Sequence, residues 1–217
     1  MKDTLRIVRP VGITDEMLKD CNVEPSKYDA WDVAATYQQG KRVYLASTHL
    51  VYQSTKDSNT GNDPSDAGSA FWVAVGPTNR WAMFDASFST ITKNPNKISF
   101  TVQPGQVVST FSATSITDVE RVEIKITSAS AGGVVYDETF DIAGESIDAG
   151  WWQFFFGTRS IPNQLTVFNL PPSDDAVIEV TFTGRENLSV GTVLFGLYES
   201  FGMGISLGSR VGIRDYS

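Results

Sequence analysis

The chain has 217 residues, 41% of them hydrophobic and 19% charged, a balance that excludes a disordered or membrane-like polypeptide. Its 25 acidic and 17 basic residues leave a formal net charge of -8 with no Lys/Arg cluster, so a phosphate backbone is repelled and nucleic acid is not an expected partner. A single cysteine, Cys21, excludes an intrachain disulfide; no stretch has the apolar core of a signal peptide or the length of a membrane span, and synthesis in a reducing cytosol is expected.

Residues 1–27 read as an N-terminal arm with one short helix. Thr14 can cap a turn that begins with Asp15 and Glu16, both favourable beside a helix N-terminus, and Pro25 ends it early. Residues 28–85 form an aromatic β unit. "KRVYLAS" and "HLVYQST" predict a hairpin, "KDSNTGNDPSDAGSA" a long polar loop, and "FWVAVG" a third strand closed by "PTNRWAMFD".

Residues 86–185 predict an antiparallel β-sandwich. In "VERVEIKIT", Val122, Ile124 and Ile126 alternate with Arg121, Glu123 and Lys125. In "AVIEVTFTG", Ile178, Val180 and Phe182 alternate with Glu179 and Thr181. Such period-two strands bury one face, and two sheets cover each other's apolar sides. Residues 186–217 carry a glycine every few positions, which disfavours helix and suits an extended docking ribbon with close backbone approach to another chain. The fold class is therefore all-β.

Catalytic chemistry finds little purchase. "GISLG" has the G-x-S-x-G form around Ser206, but a nucleophile elbow needs a following helix and a downstream histidine, and the only histidine is His49. His49 reads as a turn or strand-edge residue, since with no second histidine and one cysteine in the chain a zinc site would have to be built mainly from carboxylates, which is rare. Cys21 sits beside Asp20, a setting for an inert, half-buried thiol. The oxygens of Asp57, Asn59 and Asp63 suggest a calcium loop, yet position twelve would be Gly68, and a polar loop tip accounts for them. Asp137, Glu138, Asp141, Glu145 and Asp148 are dense enough for a glycosidase pair, and acidic strand edges explain them equally well. No catalytic residue, metal or cofactor is assigned, and the chain is not expected to be an enzyme.

The aromatic residues remain. "WWQFFF", Trp151 to Phe156, is expected to pack in the sandwich or at an interface. Trp31, Tyr37, Tyr52 and Trp72 sit in a unit too small to bury everything, so they are the glycan-binding candidates, against a role as shared packing. The spacing Trp31, Tyr37, Gly40, Val43, Tyr52, Pro64, Trp72 resembles the small chitin- and cellulose-binding modules of bacterial glycoside hydrolases. That resemblance covers about a quarter of the chain and implies a small twisted antiparallel sheet that binds polysaccharide through aromatic rings. The turn "ASTHL" and the long polar loop before Pro64 depart from the pattern.

Read end to end, "ITDEML", the aromatic unit, "VGPTNRWAMFDAS", a sandwich and "VGTVLFGLYESFGMGISLG" resemble tail or tail-tip virion proteins of tailed bacteriophages. The resemblance implies a structural component of the tail tip, baseplate or fibre region, made in the host cytoplasm and carried in the virion. Its implied partners are other tail proteins and copies of itself, with the module either touching host-surface carbohydrate or recruited as packing. A stand-alone polysaccharide-binding module and a glycan-degrading enzyme are the alternatives.

Overall fold

Alternating apolar residues along several long strands set the architecture of the computed structural model, which describes residues 5–142 and 163–201. In chain order the strands are β1 (Leu5–Val11), β2 (Leu18–Cys21), β3 (Asp29–Ala30), β4 (Thr36–Tyr37), β5 (Arg42–Leu45), β6 (Leu50–Ser54), β7 (Asn59–Thr60) and β8 (Trp72–Pro77). There follow β9 (Thr92–Lys93), β10 (Lys97–Val102), β11 (Thr110–Thr114), β12 (Thr117–Ser128), β13 (Gly133–Asp141), β14 (Gln164–Phe168), β15 (Val177–Val190) and β16 (Thr192–Phe201). The described residues contain no α-helix. The protein is all-β.

Two sheets form the sandwich. One runs β1-β16-β11-β14; the other runs β13-β12-β15-β10-β2, with β9 paired to the end of β15. Every pairing in both is antiparallel. Val122, Ile124 and Ile126 of β12 and Ile178, Val180 and Phe182 of β15 are all buried, as their alternation predicts. They face Phe111 of β11 and Phe195 of β16 across the core, with Phe111 5.4 Å from Phe195 and 6.4 Å from Phe182 between ring centroids. At one end, the Asp175 carboxylate accepts hydrogen bonds from Ser128 Oγ, Ser130 N and Ser173 Oγ, which hold its pKa well below the usual carboxylate range.

Both ends of the chain differ from the sequence reading. The expected helix near Thr14 is a single turn, in which Met17 N and Leu18 N donate to Thr14 O, and the chain then extends as β2. Four or five residues cannot sustain a helix alone, whereas Leu18 and Cys21 gain ladder pairing with Val102 and Phe100 of β10. The arm is therefore part of the sandwich: β1 edges one sheet and β2 the other.

The boundary expected at residues 185/186 falls inside β15. Leu188, Val190, Val193 and Phe195, assigned to a docking ribbon, are core residues. The close approach expected of the ribbon glycines does occur at Gly196, but toward this chain's own β1: a Cβ there would lie 2.1 Å from Arg9 O. Gly196→Ala is expected to push β1 away and destabilise the protein by about 1–3 kcal/mol. Amide exchange in residues 5–11 would rise above that of β11, which pairs with the opposite edge of β16. Unchanged protection would show that β1 tolerates the displacement. Residues 202–217, with Ser206, lie outside the described residues.

The aromatic unit is a four-stranded sheet, β3-β5-β6-β8, with the small β4–β7 pair beside it. The predicted hairpin is present as β5–β6, in the register Val43↔Tyr52 and Leu45↔Leu50, and β8 adds antiparallel to β6. Its core is small: Tyr37, Val43, Tyr52 and Trp72, with Trp31 and Phe71 among the partly buried neighbours.

Candidate functional site

The four aromatic candidates come together, but mostly facing inward. Tyr37, Tyr52 and Trp72 are each 7% exposed, so their ring faces are spent on the module core and are not offered to a sugar. Tyr37 meets Trp72 edge-on at 5.2 Å. Their polar tips are also satisfied from within. Trp72 Nε1 donates to Asn62 O at 2.8 Å, and Tyr52 OH donates to Thr48 Oγ1 at 3.2 Å. Tyr37 OH accepts from Asp32 N at 2.7 Å. A ring with its face packed and its tip bonded internally is structural. Of the four, Trp31 alone remains half-buried, and its Nε1 has no hydrogen-bond partner among the described residues.

The long polar loop divides its oxygens among separate tasks. Asp57 accepts from Gln39 N, Asn59 is fully buried and donates to Ser54 Oγ, and Asp63 caps Ser65 N. Among the described residues no three His, Cys, Asp or Glu side chains gather as metal ligands. Cys21 is half-buried, and burial pushes its thiol pKa up. Asp137, Glu138 and Asp141 lie exposed on β13, where Asp141 pairs with Arg121 at 3.3 Å. Glu145, Asp148 and "WWQFFF" lie outside the described residues.

A different cluster forms where the module meets the sandwich. Residues 78–84 make the joint. Trp81 N and Ala82 N donate to Thr78 O, turning the chain tightly after Pro77. Asn79 clasps β9 through its Nδ2 to Lys93 O and its Oδ1 to Lys93 N. Arg80 Nε donates to Val23 O at 2.8 Å. Met83, fully buried, enters the sandwich core, and its carbonyl accepts from Val193 N at 2.7 Å. The phrase "VGPTNRWAMFDAS" thus plugs the seam between module and sandwich.

Above this plug, His49 lies at the β5–β6 turn with a left-handed φ of 57°. Its ring stacks on Trp81 at 3.9 Å and 20°. His49 Nε2 is 3.0 Å from Asp15 Oδ2; an ionised carboxylate only accepts, so Nε2 carries the proton. Asp15 comes from the turn between β1 and β2, so arm, module and joint converge on one imidazole. On one side of it lies an open recess of ≈ 370 Å³ bordered by Asp15, Tyr44, Thr78, Arg80 and Trp81. On the other lies one of ≈ 410 Å³ with a more apolar wall that includes Ile13, Leu50 and Phe84. His49 was legible as a turn residue; Asp15, Tyr44, Thr78 and Arg80 had no sequence signal as a group, because only the tertiary seam brings them together.

No family model matches the chain, and no curated protein matches it. Among solved structures it is similar to a mutant of chitosan-binding module 1 from the chitosanase/glucanase of Paenibacillus sp. IK-5, with a TM-score of 0.34 and 11% identity over 54% of this chain and 82% of that one. It is also similar to CpGH89CBM32-6 of Clostridium perfringens, with a TM-score of 0.34 and 10% identity over 54% of this chain and 83% of that one. The structural similarity to carbohydrate-binding modules is distant.

Proposed function

We propose that the chain is a non-catalytic structural component of a tailed-phage virion, held in the tail by docking on other tail proteins or on copies of itself. The order of motifs along the sequence supports the class. The observation that carries docking is the free edge of β8. This strand pairs with β6 on one side and with nothing among the described residues on the other. Residues 71–77, "FWVAVGP", hold no charge, and Val73 and Val75 are 49% and 47% exposed with Ala74 exposed between them. The strand carries a one-residue bulge at Val75 but no lysine, and bare backbone beside apolar side chains invites another strand. Phe88, 77% exposed, adds a second apolar contact outside the module.

Val73→Lys combined with Val75→Lys tests this. Surface changes of this kind shift stability by about 0.5 kcal/mol or less, so the purified double variant should melt like the parent. In phage particles assembled from the variant chain, its copy number per particle should fall sharply. Normal incorporation would remove the edge from the account, and absence of the parent chain from particles would remove the virion reading. A glycan role for such a component needs a surface other than Tyr37, Tyr52 and Trp72.

A further inference from the structure

We infer that the recess at the seam between module and sandwich, bordered by Asp15, Tyr44, Thr78, Arg80 and Trp81, is a binding site for a neutral, hydroxyl-rich sugar ring. The inference goes beyond the docking reading and does not depend on it.

The first observation is a concentration of unused polar groups. Thr78 is 2% exposed, borders the recess, and its Oγ1 has no hydrogen-bond partner among the described residues. A buried hydroxyl left unpaired is costly and rare in a folded protein. Arg80 spends its Nε on Val23 O, while its two terminal nitrogens meet no carboxylate or carbonyl among the described residues. The Trp81 indole N–H and the Tyr44 hydroxyl, both on half-buried side chains, likewise have no partner among the described residues. Asp15 gives one oxygen to His49 and keeps the other free. Five residues from three separate segments border the recess with hydrogen-bonding capacity unspent.

The second observation is that the site is built. His49 adopts a left-handed backbone, and its carbonyl accepts from Thr78 N at 2.7 Å, while its ring is clamped between Trp81 and Asp15. Phe84 braces Trp81 edge-on at 5.7 Å. A volume of ≈ 370 Å³ falls at the small end of ligand sites, which run from about 300 to 1,000 Å³.

The mixture of groups selects the ligand. Arg80 and Trp81 only donate, Asp15 only accepts, and Tyr44 and Thr78 do both. Sugar hydroxyls, which donate and accept in turn, answer all of them. An anion would meet Arg80 but also Asp15, in a chain of net charge -8. With the Trp81 face covered by His49, the indole contributes its N–H edge, so recognition rests on hydrogen bonds more than on stacking.

The test is an NMR titration of the full chain with methyl glucoside, methyl galactoside, N-acetylglucosamine and glucuronate, following the Trp81 indole N–H and the Arg80 Nε–H. At least one neutral sugar should shift both signals saturably, and glucuronate should bind more weakly than methyl glucoside. Tyr44→Phe and Thr78→Val each remove one hydroxyl and no internal bond. Each should weaken binding about five- to tenfold without lowering the melting temperature. No shift with any sugar, or shifts unaffected by both variants, would overturn the site. Glucuronate binding as tightly as methyl glucoside would overturn its neutrality. Incorporation of these two variants into particles is expected to be normal, so this test and the β8 test fail separately.

Discussion

Replacing Trp72 with alanine is expected to unfold the small module while the sandwich stays folded, at a cost of about 3–5 kcal/mol to the module. The size follows from how few side chains fill that core: Tyr37, Val43, Tyr52 and Trp72 are its buried hydrophobic members. Removing the indole takes away the edge-on partner of Tyr37 at 5.2 Å and opens a cavity that three remaining side chains cannot close. It also frees Asn62 O, which accepts from Trp72 Nε1. Limited proteolysis should cut within residues 28–77 of the variant and leave the sandwich strands intact. A variant that resists cleavage, or loses both units in one transition, would show that the seam alone holds the module in place. Either result separates packing from ligand contact, because a ring serving only as a sugar platform could be truncated at little cost to stability.

The sandwich was legible where chemistry repeats with the period of a strand. Val122, Ile124 and Ile126, and Ile178, Val180 and Phe182, point one way because their polar neighbours are pushed the other way by water, and no distant contact is needed to see it. The ends were not legible for the converse reason. Met17 and Leu18 look like the apolar side of a short helix until β10 is there to pair with Leu18 and Cys21, and "TVLFGLYESF" looks like a loose ribbon until β1 covers Gly196. Local propensity is weak in short segments, and nonlocal pairing decides them.

The aromatic residues carry the same lesson into the site. Trp31, Tyr37, Tyr52 and Trp72 do belong together, as their spacing suggests, but spacing does not say which side of a sheet faces water. A one-residue change of register reverses every such assignment. The recess at the seam was invisible for a further reason. Asp15, Tyr44 and Arg80 are ordinary surface residue types, separated by tens of positions, and only the turn at residues 78–84 folds them onto one imidazole.

That turn also links the recess to the deepest part of the core, which gives Phe100→Ala the second large expected effect. Phe100 is 2% exposed and touches three other rings: Phe84 at 5.2 Å, Phe182 at 6.3 Å and Phe195 at 6.4 Å. Truncation is expected to cost about 3–5 kcal/mol, the range for a buried phenylalanine in a core that closes only partly around the gap. The denaturant midpoint should fall in proportion, with little change in slope, since the same surface is exposed on unfolding. The loss should also be felt outside the core. Phe84 rests on Phe100 and in turn braces Trp81, so the stack of Trp81 on His49 loses its backing. The Trp81 indole N–H signal should therefore broaden or shift in Phe100→Ala before any ligand is added. In Phe111→Ala, which removes a ring in contact with Phe182 and Phe195 but not Phe84, it should stay in place. Equal disturbance by both variants would mean that the core transmits strain in all directions, and that the seam has no brace of its own.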